Sequence, residues 1–312
     1  MVTGNAAGRT SSDRDVRGAD ARSSLVVDRV EAAARTGVAL IPVHARFGVH
    51  AVSADIGHVE FGQAMGSYCL DRRGRLSPGA FLVGADAALG AAVASHLPDL
   101  VSVASLAIHL EFVDLRPPAA DHFTFRARTT HIGDGTGFAH GEIMTDQGEM
   151  IAHISTQCAF IRIGTPPAVS AGTPIDEALL TLTDDGDEAL SPIATSRAGA
   201  RLTAFGEAEV RLAVTAEPEM CNSRGSVQGG VLGMLAEQAV TACLTATSPA
   251  LAEAETMDLN ITYLRPVVRE RPHLEIVAKP EHSSRRFASA HAVGYDNSGR
   301  VVITASGSRY RG

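Results

Sequence analysis

Tryptophan is missing from this 312-residue chain and other aromatic residues are few, while alanine and glycine are abundant. An excess of positive charge is missing too. The formal net charge is -8, which argues against a general nucleic-acid binder with its basic face and against attachment to anionic membranes. The four cysteines, Cys69, Cys158, Cys221 and Cys243, include no pair spaced for zinc or redox chemistry. They read as small buried thiols in a reducing compartment. The N-terminal stretch "MVTGNAAGRTSSDRDVRGADARSS" has no apolar centre, so it does not read as a secretory signal. No run of about 18 apolar residues is free of charge, so nothing reads as a membrane span. Neither a glycine-rich phosphate loop nor a nucleophile elbow is found. The expected location is cytoplasmic, with no nucleic-acid or membrane partner.

What the chain does contain is a repeat. "DRRGRLSPGAFLVGADAALGAAV" from Asp71 lies on "NSRGSVQGGVLGMLAEQAVTACL" from Asn222. Gly74 falls on Gly225, Gly79 on Gly230 and Asp86 on Glu237. Further on, "IHLEFVDLRPP" aligns with "MDLNITYLRPV" through the shared Leu-Arg-Pro. That places the later segments at an offset of 149 to 150 rather than 151.

Each unit reads as a lead-in strand, a polar loop, a long apolar helix and a set of alternating strands. The turns "DQG" and "DNSG" mark the last hairpins. A helix apolar on nearly every face demands a sheet wrapped around it, an α+β arrangement. Two such units could set their sheets side by side as one. The expected organisation is an unstructured segment over 1–37, a first unit over 38–164, a linker over 165–200 with a short helix near "IDEALLTL", and a second unit over 201–312.

The pattern Asn222-x-x-Gly225-x-x-Gln228-Gly229-Gly230 with an acid at Glu237 resembles the Asn-x-x-Gly-x-x-His-Gly-Gly…Asp signature of PaaI-type hotdog-fold acyl-CoA thioesterases. "TMDLNITYLRP" looks like the strand that follows the helix in that family. The resemblance covers Ala204 to Gly312 and, more weakly, His58 to Ile163. It departs from the family at Gln228, which replaces a titratable histidine, and at Ser77-Pro78-Gly79, which replaces the equivalent loop of the first unit. The resemblance implies tandem hotdog units, an acyl-CoA substrate and a site shared between facing units. One unit would supply the loop and helix start, the other a carboxylate and a hydroxyl.

Hydrolysis of a thioester needs an activated nucleophile and a donor for the growing oxyanion. The Gly229 amide falls in a first helical turn, where N–H groups lack partners and the helix dipole favours negative charge. Asp86 and Glu237 are the lone ionisable groups of their apolar helices. Either could act as a general base or attack directly to give an anhydride. Pro78 has no N–H to offer. The competent site is therefore expected to join Asn222, Gln228 and Gly229 to Asp86, with Ser105 as the nearest hydroxyl. The degenerate site would join Asp71, Ser77 and Pro78 to Glu237 and Thr256.

Gly230, Ser105, Arg265, Arg285 and Arg286 are candidates for substrate contact, the arginines for coenzyme A phosphates. Arg269 and Arg271 extend the same basic stretch. No cofactor is called for, and the histidines show no metal-ligand spacing. A homodimer of fused chains is a further expectation. Two rival readings share the fold: a non-catalytic acyl-CoA binder, and an enoyl- or hydroxyacyl-CoA hydratase or dehydratase, which would want a histidine near the acid.

Overall fold

The computed structural model describes residues 24–165, 172–182, 186–251, 253–254, 256–268, 270 and 272–312, with only the backbone of Thr256. Helix α1 (Leu25–Thr36) comes first, ended by Gly37 in the left-handed conformation at φ 66°. Part of the stretch expected to lack structure is thus helical. Its apolar positions recur at helical spacing, burying Val30 and Ala33. Residues 1–23 lie outside the described residues.

The short helix α2 (Pro42–Arg46) opens the first half. Strands β1 (Val49–Asp55) and β2 (His58–Ala64) form a hairpin. A 3₁₀ turn over Pro78–Phe81 runs into helix α3 (Leu82–Ala94). Four long strands follow: β3 (Val101–Phe112), β4 (His122–Ile132), β5 (Thr136–Thr145) and β6 (Met150–Arg162). The second half repeats this plan. Its elements are α4 (Pro192–Ala198), β7 (Arg201–Phe205), β8 (Val210–Thr215), α5 (Gly229–Thr247), β9 (Thr256–Tyr263), β10 (His273–Ser283), β11 (Phe287–Asp296) and β12 (Val301–Tyr310). Helix α4 lies in what was expected to be linker, and the "IDEALLTL" helix is a single 3₁₀ turn, Glu177–Leu179.

All the strands form one antiparallel 12-stranded sheet in the order β1-β2-β4-β5-β6-β3-β9-β12-β11-β10-β8-β7. The halves join where β3 meets β9, with Ile108 opposite Ile261 and Leu110 opposite Leu259. Both long helices lie against the inner face, so each half is a sheet wrapped around a buried helix: the hotdog architecture, in tandem. α5 has the length and hydropathy of a membrane span, but it is a core helix, with Val231, Met234, Leu235 and Val240 closed off by the sheet.

The structural repeat keeps one offset, 151, through the paired strands apart from the start of β3. Phe61 pairs with Phe125 as Leu212 pairs with Ile276, and Thr136 pairs with Ala159 as Phe287 pairs with Tyr310. The Leu-Arg-Pro alignment is therefore out of register. In the first half Leu115 is buried and its carbonyl accepts from Leu76 N; in the second, Val267 does this for Val227 N, and Leu264 is 49% exposed.

One irregularity bears directly on function. β3 carries a β-bulge at Leu106, between Ser105 opposite Cys158 and Ala107 opposite Gln157. An extra residue flips the alternation. Ser105 then faces inward, like Ile108 and Leu110. Counting through the bulge, Ser105 corresponds to Met257, which is opposite Arg309, just as Ser105 is opposite Cys158. The alignment on Leu-Arg-Pro would set Ala107 on Thr256, but by register Thr256 corresponds to Ala104; the Thr256 side chain lies outside the described residues.

Candidate active site

Helices α3 and α5 cross closely because glycine stands at the crossing. A Cβ on Gly230 would lie 2.4 Å from Leu82 O and 2.5 Å from Val83 Cα. This contact brings the start of α5 onto the first turn of α3, just ahead of Asp86. Gln228 caps α5: its Oε1 accepts from Val231 N at 3.1 Å, and its Nε2 donates to Asp86 Oδ2 at 2.6 Å. Gly230 N donates to the same oxygen at 3.1 Å. Ser105, turned inward by the bulge, donates to Asp86 Oδ1 at 2.5 Å. Gly229 must be glycine here, since a Cβ would sit 2.9 Å from Asp86 Oδ2. Among the described residues no acceptor pairs with the Gly229 N–H. A free helix-start N–H therefore lies beside a carboxylate held at both oxygens.

Burial pushes the Asp86 carboxyl above the usual carboxylate range, offset in part by the donors Ser105 and Gly230 and by the nearby Arg224 charge. Asp86 nevertheless keeps intermediate exposure, so solvent reaches it. The Cys158 thiol, crowded beside it, is pushed up to about 12 by burial and by the Asp86 charge. Arg224 and Cys158 were not foreseen as neighbours of the site. Arg224 spans from the loop before α5 to the edge of β3, donating to Ser102 Oγ at 2.6 Å and Val103 O at 3.1 Å. Its role depends on how far β3 outruns β9, which depends on the bulge register.

The Glu237 side is the same frame filled in. Glu237 is wholly buried at 0% exposure. Its Oε2 accepts from Gln238 Nε2 at 2.6 Å and its Oε1 from Thr241 Oγ1, with the Gly79 amide close by. Burial again raises its pKa, against those donors and the Arg309 charge. At the 151 offset, Ala87, Gly90 and Cys158 beside Asp86 are replaced by Gln238, Thr241 and Arg309 beside Glu237; counted through the bulge, Ser105 is replaced by Met257. Small groups surround one acid and large ones the other. The pocket left at Glu237 is about 40 Å³, and its lining includes Glu188, Ala189, Leu190 and Ser191 from the segment between the halves. Ser191 N is tied down to Gln238 Oε1 at 2.8 Å.

Other expected site residues fall elsewhere. Asn222 does not bond Asp86; its Oδ1 accepts from Arg224 N and Ser226 N, shaping the turn whose Gly225 has φ 75°. Asp71 does the same for Arg73 N and Arg75 N, so its charge is occupied in its own loop. The arginines do not form one patch. Arg265 is exposed and donates to Val301 O, at the start of β12. The carbonyl of Arg286 accepts from Arg311 N, beyond the far end of that strand. Those ends are about 30 Å apart at the usual strand rise. Arg265 is at the Asp86 end and Arg285 and Arg286 at the Glu237 end; Arg269 and Arg271 lie outside the described residues.

The histidine reading also needs revision. On the outer sheet face, His109, Glu111 and Asp258 bring ligand atoms within 4.8 Å of one another, a set that could hold a cation. Asp258 already accepts from His109 Nε2 at 2.7 Å and Asn260 Nδ2 at 2.9 Å. The group lies across the sheet from the buried carboxylates.

Comparisons with known proteins address the two halves separately. Residues 42–161 match the family model "Acyl-CoA thioesterase C-terminal domain" and residues 224–303 the model "Thioesterase superfamily". Among solved structures, the tesB protein of Mycobacterium avium subs paratuberculosis superposes with a TM-score of 0.57 at 12% identity, over 86% of this chain and 98% of that one. An acyl-CoA thioesterase II from Mycobacterium marinum gives 0.57 at 11% identity, over 86% and 98%. At these identities the superpositions speak for the fold. No curated protein sequence matches.

Proposed function

We propose that this chain, a thioester hydrolase with a thioesterase-type hotdog in each half, cleaves acyl-CoA thioesters at the Asp86 site alone. The observation that carries the proposal is the unpartnered Gly229 N–H beside the solvent-reachable Asp86 carboxylate. The thioester carbonyl oxygen takes the Gly229 N–H, supported by the positive end of α5. Asp86 removes a proton from water as the water oxygen bonds to the carbonyl carbon. The tetrahedral intermediate collapses, the C–S bond breaks and the coenzyme A thiolate leaves. Gln228 and Gly230 hold one oxygen of Asp86 in place. Ser105 donates to the other and fixes its direction.

An elevated carboxylate pKa suits a base working near neutral pH better than an ordinary one. Direct attack by Asp86 through an anhydride is the second route. Single turnover in ¹⁸O water tests the second, since label found in Asp86 instead of the acid product requires an anhydride opened at the Asp86 carbonyl carbon. The Asn222–Gly230 loop favours a PaaI-type placement of the second half. The chain acts in the cytoplasm without a cofactor, and as a homodimer.

The deciding experiment is release of free thiol from short, long, branched and aromatic acyl-CoAs. Turnover of any of them supports hydrolysis. Calorimetric binding of coenzyme A thioesters with no thiol released from the whole panel would instead support an acyl-CoA binder. Loss of enoyl absorbance from crotonyl-CoA would support a hydratase.

A further inference from the structure

We infer that Tyr263 is a positioning residue for the Asp86 site, acting through the single peptide unit that joins Gly229 to Gly230. The inference rests on the reading of Asp86 and Gly229 given above. Tyr263 is the last residue of β9, and its hydroxyl donates to Gly229 O at 2.9 Å. The N–H of that same peptide unit belongs to Gly230, which donates to Asp86 Oδ2 at 3.1 Å. One amide is thus gripped at its oxygen by Tyr263 and grips Asp86 with its hydrogen. A donor on the carbonyl polarises the amide and strengthens the bond its N–H makes. The grip also fixes the start of α5, and with it the direction of the neighbouring Gly229 N–H.

The surroundings are shaped for this contact. The ladder of an α-helix uses one lone pair of a carbonyl oxygen, leaving a second for a side-chain donor. Gly233, one turn further along α5, makes room: a Cβ there would lie 2.9 Å from the Tyr263 hydroxyl and 3.0 Å from Ile261 Cδ1. Burial, with the Asp86 charge, holds the Tyr263 pKa well above its ordinary value, so the hydroxyl stays protonated and remains a donor. At the 151 offset Tyr263 corresponds to Phe112. There the ring packs 5.8 Å from Phe81, with no hydroxyl to grip the equivalent peptide of the Glu237 side. The fold therefore accepts either ring, and the hydroxyl is present only where the Gly229 N–H is free.

The groups that face Asp86 and could affect its titration are Cys158 from β6, Arg224 from the loop before α5 and Tyr263 from β9. Removing the hydroxyl weakens the Gly230 N–H bond to the ionised carboxylate, so the Asp86 pKa must rise. The test compares wild type, Tyr263→Phe and Asp86→Asn on one acyl-CoA substrate, with kcat, KM and the pH profile of kcat/KM for each active form. Tyr263→Phe is expected to lower kcat about tenfold, the scale of one lost hydrogen bond with some loss of orientation. KM should stay within about twofold, and the acid limb should move to higher pH. Gly233→Ala, which crowds the hydroxyl away from Gly229 O, is expected to reproduce both changes with Tyr263 intact. If Asp86→Asn is inactive while Tyr263→Phe and Gly233→Ala match wild type in kcat and pH profile, the inference is wrong and the reading of the site stands. If Asp86→Asn keeps full activity, the reading itself fails. Should Tyr263→Phe not fold, Gly233→Ala decides alone.

Discussion

Pro78 stands in the first half where Gly229 stands in the second. The exchange changes two things together. α5 begins as an α-helix at Gly229, while the equivalent stretch from Pro78 to Phe81 is a 3₁₀ turn. The N–H that is free at Gly229 does not exist at Pro78.

Restoring that N–H alone is not expected to create a second site. In Pro78→Gly, Glu237 would still be enclosed by Gln238, Thr241 and Arg309. Specific activity should remain within about twofold of wild type, by the usual insensitivity to changes away from the reacting groups. Turnover by the double variant Pro78→Gly with Asp86→Asn would contradict the one-site reading.

The two carboxylates should separate cleanly by substitution. Asp86→Asn is expected to lower kcat/KM by about 10²–10⁴, the usual range for loss of a positioned base. Glu237→Gln should leave turnover largely intact. Thiol release from the two purified variants under one condition settles the order; the reverse ranking would sink the assignment.

How far this was legible in the sequence varies from place to place. The repeat was, because Gly74 and Gly225 share a turn with φ 75° and Asp86 and Glu237 share a helical position. The fold followed from helices apolar on all sides. The register of the later strands did not, because an identical Leu-Arg-Pro outweighed the pattern of alternation. In the structure Leu115 is buried and Leu264 is half-exposed. Ser105 could be named only as a nearby hydroxyl, since a bulge at Leu106 leaves no clear mark in the sequence. The loop-shaping part of Asn222 was not legible, because a side chain that shapes a tight loop and one that serves a reaction are the same residue at the same spacing.

The pH dependence follows from the raised pKa of Asp86. The base must be ionised, so kcat/KM should climb with pH through a limb above the ordinary carboxylate range. Stability runs the other way. A carboxyl whose folded pKa is raised favours the folded state below its unfolded value, about 4. That contribution is lost as pH rises towards the folded pKa. Asp86→Asn should therefore melt progressively higher than wild type as pH increases over that window, with Ser105 reversing its hydroxyl to accept from the new amide. A melting difference that does not change with pH would argue against a raised pKa.

The effect of the small residues around Asp86 can be tested by copying the other half. Gly90 corresponds to Thr241, and a Cβ at Gly90 would meet only Val103 Cγ2, at 3.7 Å. Gly90→Thr should fold. It should lose activity by about tenfold or more as the added side chain reaches the carboxylate. The smallest acyl-CoAs in the panel should be affected least. Equal loss for every acyl group would point to an effect on Asp86 rather than on space.

The segment that passes Glu188 to Ser191 along the Glu237 pocket also ties the two halves into one polypeptide. In a pair of identical subunits, every substitution appears twice and each of two equivalent sites must tolerate it. Covalent fusion removes that constraint. A proline at position 78 leaves the glycine at 229 untouched, and Arg309 can occupy space that Cys158 leaves open. The two halves also meet at a fixed one-to-one ratio and at a local concentration independent of how much protein is present. Dilution can therefore separate one chain from another, but it cannot take Gly229 away from Asp86.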